Sequence, residues 1–292
     1  MDAKKFLSPN SGMAALSGRR LSVMAYKDSS EFQSFLDGSQ YTGKNIRRYE
    51  KIYGNMFISH GGEETTAKFC RELDLRPGQK VLDIGCGVGG SAFYMARHYG
   101  ADVFAIDLSQ NMISIAKDYW NGQPSGIQHR VQFHIEDATK MAYPENFYDV
   151  VYSRDTVLHI FEKKQLFENL LKCLKPGGKL MISDYCRGEG EHTMGFRKYV
   201  KLRGYQLITI NEYRKMLERV GFEDIEAKNN SAYFKQLLND GLKTLKENKT
   251  DIVDEYSEED YDYLCQNLTN QCGNVDRGDH VWGYFVARKM FD

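Results

Sequence analysis

The run from Lys80 to Gly90 constrains this chain more than any other stretch. Val81, Leu82 and Ile84 are apolar enough for a buried parallel strand, and Gly85, Gly87, Gly89 and Gly90 follow within six residues. A helical pattern then occupies 91–99. Strand, glycine turn and helix together form the ligand cradle of a doubly wound α/β domain, in which ligands sit at the carboxyl ends of the strands. Glycine suits such a turn because the backbone enters φ > 0 and because a side chain would hold a ligand away from it.

The spacing Gly85, Gly87, Gly90 satisfies a dinucleotide fingerprint, so charge has to separate the ligand classes. Asp83 stands two residues before the first glycine, where its carboxylate would oppose a pyrophosphate. The same carboxylate suits S-adenosylmethionine, which has no phosphate but carries an ammonium and a sulfonium. The plain alternative is that Asp83 caps the turn through backbone N–H groups. Asp107 weighs against it. This residue ends the next expected strand, 102–106, about 20 residues beyond the glycines, where ribose-binding acids stand in such folds.

At 292 residues the chain has room for one large α/β domain with an elaborated cap. A formal net charge of -1 argues against a surface built for nucleic acid or anionic membrane. No apolar run approaches the roughly 20 residues of a membrane span. Residues 1–30 read as a disordered tail, since they lack the continuous apolar core of a secretory signal. The six cysteines show no metal-ligand spacing, which suggests free thiols in a reducing cytoplasm and no bound metal.

The stretches 131–135, 147–152, 179–184 and 222–227 read as further strands, with helices at 63–73, 111–120, 156–173, 210–220 and 232–248 between them. A last strand at 280–288 fits the antiparallel seventh strand of a mostly parallel, Rossmann-like sheet. Thus 31–292 reads as a single domain. Within it 31–62 forms a helical lid too poor in apolar residues for its own core, and 185–209 and 230–275 form an inserted cap. The acidic, tyrosine-rich stretch 251–267 reads as a solvated helical face.

Val81 to Gly87, Asp107, Asp137 and Leu174–Lys175–Pro176–Gly177–Gly178 resemble the motifs of class I S-adenosylmethionine-dependent methyltransferases. Gln40–Tyr41–Thr42, Ile58 to Gly62, Tyr152 to His159, Ile182 to Cys186 and Trp282 to Phe285 resemble, more narrowly, the phosphoethanolamine (phosphobase) N-methyltransferases of the compact type with one catalytic domain. The likeness runs from about Phe35 to Lys289. It implies cofactor contacts from Tyr49, Ser59, Asp83, Ile84, Gly85, Asp107, Asp137 (at the adenine amine) and Arg154. Tyr41 and His159 match the catalytic pair, and Gln40, Asp155, Tyr185, Tyr199, Arg203 and Tyr205 match substrate positions. One departure stands out: where the family has a lysine that meets the substrate phosphate, this chain has Gln271.

The chemistry of the residues agrees with that implication. A primary alkylamine arrives protonated at neutral pH and must lose a proton before it can attack a methyl group. Histidine has the side chain suited to accept it. His159 would stand one helical turn beyond Asp155, although alone it would read as a packed core histidine. Tyr41 could hydrogen-bond it from the lid, and Asp155 could hold the ammonium or serve only as a helix N-cap. Tyr199 and Arg203, four apart on an expected helix, could converge on one anion, with Tyr185 and Tyr205 as neutral donors. These features favour an enzyme with a small phosphobase substrate and no obligate protein partner. An N-methyltransferase for another amine, a non-catalytic cofactor-binding module and an NAD-dependent oxidoreductase are the competing readings.

Overall fold

The apolar runs assemble into one seven-stranded sheet in the order β3-β2-β1-β4-β5-β7-β6. The computed structural model describes residues 28–291. The strands are β1 (Lys80–Ile84), β2 (Asp102–Asp107), β3 (Val131–Ile135), β4 (Tyr148–Arg154), β5 (Leu174–Arg187), β6 (Glu223–Asn229) and β7 (His280–Arg288). β1 to β5 pair in parallel, and β7 runs antiparallel to both β5 and β6. From β1 the chain winds outward to β3, then crosses back to β4, so the order reverses between β1 and β4. Ligand crevices form at such reversals.

Around the sheet lie α1 (Ser29–Phe35), α2 (Gly43–Tyr53), α3 (Gly62–Leu73), α4 (Gly90–Tyr99), α5 (Gln110–Asn121), α6 (Ser125–Gln128), α7 (Lys163–Cys173), α8 (Met194–Arg203), α9 (Ile210–Val220), α10 (Ser231–Glu247), α11 (Lys249–Glu255) and α12 (Glu258–Asp276). Phe69, Phe93, Val103 and Trp282 anchor the core on one face of the sheet, and Phe167, Leu180, Tyr213 and Phe285 that on the other. The expected tail 1–30 lies outside the described residues as far as position 27. Its last residues begin α1, which starts at Ser29 with Asp28 as its N-cap.

Two local expectations change. The helix expected over 156–173 is broken: Val157–His159 is a single 3-10 turn, and α7 begins only at Lys163. Asp155 takes φ 51 just past β4, and Ile160 is extended, so continuous helix is impossible there. Val157 and Leu158 are nevertheless buried, which is why the apolar pattern ran on unbroken. The stretch 251–267 is also not a solvated face. Tyr261, Leu264 and Leu268 on α12 are buried, in one core cluster with Phe234 and Leu238 of α10, while Glu258, Glu259 and Asp262 are exposed.

The lid is held from both sides. Asp260 at the start of α12 pairs with Lys44 and Arg48 of α2. Asp37, in the π-helical turn Leu36–Gln40, accepts from Ser109 Oγ and from the backbone N–H of Gln110 at the start of α5. There it satisfies donors that every helix N-terminus leaves free.

Candidate active site

The carboxyl ends of β1, β2, β4 and β5 open into one cavity, roofed by the lid, α8 and α12. The glycine turn forms its floor. Gly85 has φ +71, and a Cβ there would lie 2.0 Å from Thr156 Oγ1, so the turn admits no side chain. Asp107 fastens this floor: its carboxylate accepts from the N–H of Gly87 and of Ser109, each at 2.9 Å. Asp83 is 1% exposed, and its Oδ2 has no partner. Burial, reinforced by the Asp107 charge, pushes the Asp83 carboxyl up to about 8, and burial pushes Asp107 up to about 6. An unpartnered buried carboxyl beside a backbone turn fits a ligand that brings a cation.

Across the cavity stand the groups suited to proton transfer. Tyr41 Oη lies 3.0 Å from His159 Nε2, with the rings edge to face. α5 steadies this contact, because its Asn111 Nδ2 donates to the lid's Tyr41 O at 2.8 Å. Burial, with Lys163 and Arg203 adding repulsion, pushes His159 down to about 3, so the imidazole is neutral. Its Nδ1 is buried without a partner. Asp155 does not cap a helix. Its Oδ1 accepts from Trp282 Nε1 at 2.7 Å and from Ser183 Oγ at 3.4 Å, while its Oδ2 is buried and unpartnered. Asp155 and His159 therefore reach one cavity from a strand end and a 3-10 turn, not from a shared helix face.

The far wall is aromatic with one fixed cation. Arg203 ends α8, and its guanidinium lies 6.0 Å from the Tyr199 ring centroid, one turn back. The Tyr205 ring meets Tyr199 at 5.7 Å and His159 at 5.2 Å, edge to face in both cases. Gln40 Nε2 donates to Arg203 O at 2.7 Å and so ties the lid to this wall. Tyr49 completes it from α2, beside Tyr53. Among the described residues no carboxylate pairs with Arg203.

Of the residues singled out from the sequence, Gln40, Tyr41, Tyr49, Ser59, Asp83, Ile84, Gly85, Asp107, Arg154, Asp155, His159, Tyr185, Tyr199, Arg203 and Tyr205 all line this cavity. Asp137 does not. Its carboxylate accepts from Ser29 Oγ of α1 and from Thr139, while Glu136 and Ala138 on either side of it reach the cavity wall. Arg154 is on the wall, yet its guanidinium donates to His60 O, Gly62 O and Thr66 Oγ1, which braces the loop 58–62.

Sequence reasoning missed His60, whose Nδ1 lies 3.1 Å from Tyr185 Oη. It also missed Asn267, which lines the wall from α12 together with Gln271. The place of Asn267 four residues before Gln271, beside the apolar positions Leu264 and Leu268, was the available signal. The position of the expected lysine is thus on the wall: Gln271 Oε1 is buried there without a partner.

A methyltransferase domain model matches residues 75–221, half of the chain. Phosphoethanolamine N-methyltransferase 1 of Zea mays is 44% identical over 258 residues, covering 88% of this chain and 51% of its own length. The chain thus spans about half the length of the plant relatives it matches. The Plasmodium falciparum phosphoethanolamine N-methyltransferase is 37% identical over 260 residues, covering 88% of this chain and 96% of the relative. The chain belongs to the phosphoethanolamine N-methyltransferase family. A solved family structure, Haemonchus contortus phosphoethanolamine N-methyltransferase 2 with phosphomonomethylethanolamine and S-adenosylhomocysteine, superposes with a TM-score of 0.86 at 33% identity, over 89% of this chain and 60% of that one. The fold extends further: the cyclopropane synthase MmaA2 of Mycobacterium tuberculosis shares it at 20% identity, with a TM-score of 0.69, 80% of this chain and 86% of that one.

Proposed function

We propose that this family member transfers methyl groups from S-adenosylmethionine to the nitrogen of phosphoethanolamine and of its mono- and dimethyl forms, giving phosphocholine. The observation that carries the substrate is the wall around Arg203. A guanidinium on a cavity wall with no carboxylate partner among the described residues is suited to receive an anion, and Tyr49, Tyr199 and Tyr205 offer neutral donors for the remaining oxygens. At the opposite end Asp155 Oδ2 offers a charge to an ammonium. A phosphate joined by a short linker to an amine complements both ends at once.

When bound, S-adenosylmethionine would supply a methyl carbon on a sulfonium, open to attack by an amine lone pair with the sulfur leaving as the thioether of S-adenosylhomocysteine. The residues present fit that cofactor, with Asp83 for the amino-acid ammonium and Asp107 for the ribose. Asp155 orients the substrate ammonium. The neutral His159–Tyr41 pair takes up the proton that the amine must lose before it attacks. Phosphate arrival helps this step, because its charge offsets Arg203, one of the two cations that hold His159 low. The lid brings Tyr41 onto His159, and this contact shields the reacting centre from part of the bulk water.

Gln271 favours a second reading, an N-methyltransferase for another small amine, because it leaves the anion wall one cation short. Thermal stability separates the two. In the presence of S-adenosylhomocysteine, phosphocholine raises the melting temperature and choline does not; stabilisation by choline alone favours the second reading. We also propose a cytoplasmic protein, on the strength of the six unbridged thiols, together with small-molecule substrates and no protein partner. No helix among the described residues is long and apolar enough to cross a membrane.

The raised carboxyls give the cofactor step a pH dependence. In the free protein Asp83 holds a proton below about 8 and Asp107 below about 6. A cationic ligand binds the carboxylate form, so binding releases a proton and affinity climbs as pH rises through this window, by up to about tenfold per unit. Isothermal titration of S-adenosylhomocysteine between pH 6 and pH 8 measures it. A flat profile contradicts the assignment of Asp83 to the cofactor's ammonium.

A further inference from the structure

We propose that Lys163 and Asp184, two buried charged residues behind the active-site turn, are positioning residues that set the orientation of the His159 imidazole. This rests on the proposed methyl transfer. Neither residue lines the cavity, and apart from the charge of Lys163 on His159 neither has a part in the mechanism above. Lys163 is 4% exposed and Asp184 is fully buried. Two such charges are expensive to bury and add little to stability over an apolar pair, so their geometry is the thing to explain.

Each charge grips one neighbour of His159. Asp184 Oδ1, on β5, accepts from the N–H of Leu158 at 3.0 Å. Lys163 Nζ, at the first residue of α7, donates to the carbonyl of Ile160 at 2.5 Å. Gln206 N donates to Leu158 O at 2.7 Å from the segment after α8. The turn Val157–His159 has only a single 3-10 bond pattern of its own and follows Asp155 in the left-handed region, so it lacks the ladder that would hold a helix in place. Side chains from β5 and α7 replace that ladder on both sides of His159. The pair also couples to the turn electrostatically. Burial lowers Lys163 and raises Asp184, and each charge opposes that shift in the other. Lys163 in turn adds to the repulsion that holds His159 neutral.

The groups that face the imidazole are Tyr41 of the lid, Tyr205, Phe32 of α1, Arg203 of α8 and Lys163 of α7. Lys163→Met keeps the volume but removes both the donor and the charge. Its turnover is expected to fall about tenfold, with the KM for the phosphobase and the Kd for S-adenosylhomocysteine within about twofold of wild type. The acid limb of its kcat/KM profile should move to higher pH, because one cation beside His159 is gone. Asp184→Asn retains an acceptor for Leu158 N–H and should lose less turnover than Asp184→Ala, and this ordering separates positioning from bulk stability. Melting temperatures confirm that each variant is folded at the assay temperature. Wild-type protein that fails to methylate any phosphobase overturns the functional reading itself. Active wild type with folded Lys163→Met and Asp184→Ala variants of unchanged kcat and unchanged pH profile overturns this inference alone.

Discussion

His159→Ala is expected to lower the rate of methyl transfer by about 10²–10⁴-fold while leaving S-adenosylhomocysteine affinity within about twofold. The split follows from where the imidazole stands. His159 sits on the turn after β4, bonded to Tyr41 and in edge contact with Tyr205. The glycine turn and Asp83 belong to the other side of the cavity. Burial holds the ring's titration down to about 3, so at neutral pH it has a lone pair for a proton. Alanine removes that lone pair and leaves Tyr41 Oη without its partner. Tyr41→Phe keeps the ring contact and removes only the hydrogen bond, so its loss should be smaller. Single-turnover rates and calorimetric affinities measured on the same preparations check the split. A His159→Ala variant that turns over at the wild-type rate removes this residue from proton transfer.

The second large effect belongs to Arg203. Arg203→Met is expected to raise the KM for phosphoethanolamine by on the order of a hundredfold, about 3 kcal/mol for charge-assisted bonds to a phosphate. Methionine fills the space beside Tyr199, so packing of α8 is largely kept. Any trace activity on ethanolamine, which has no phosphate, should be unchanged. That comparison distinguishes loss of an anion contact from general damage to the aromatic wall. Equal losses on the two amines would show that Arg203 holds the wall together and does not read the phosphate.

Most of the architecture could be read from the sequence because the central strands β1 to β4 carry short apolar runs bounded by glycine and acids. The sequence expectation for the last strand matches its observed bounds, His280–Arg288, and its antiparallel place in the sheet. What escaped was tertiary. The stretch through Val157 and Leu158 looked helical because both are buried, but the backbone twist at Asp155 breaks the helix, and no periodicity reports a dihedral angle. The tertiary position of Asp137 was equally hidden: Ser29, 108 residues away, takes its carboxylate. α12 was misread because its acids dominate the composition, while the apolar stripe that packs it against α10 has only a few members. The site residues were more legible than their geometry. Fifteen of sixteen candidates line one cavity, yet His60 and Asn267 needed the fold to bring them there.

The most direct measurement incubates the purified chain with S-adenosylmethionine and phosphoethanolamine, then identifies products by mass. One S-adenosylhomocysteine is expected for each methyl group found on the phosphobase, with ethanolamine a far poorer acceptor. Cofactor that binds while no methyl group reaches any phosphobase, or transfer to ethanolamine as fast as to its phosphate ester, would contradict it.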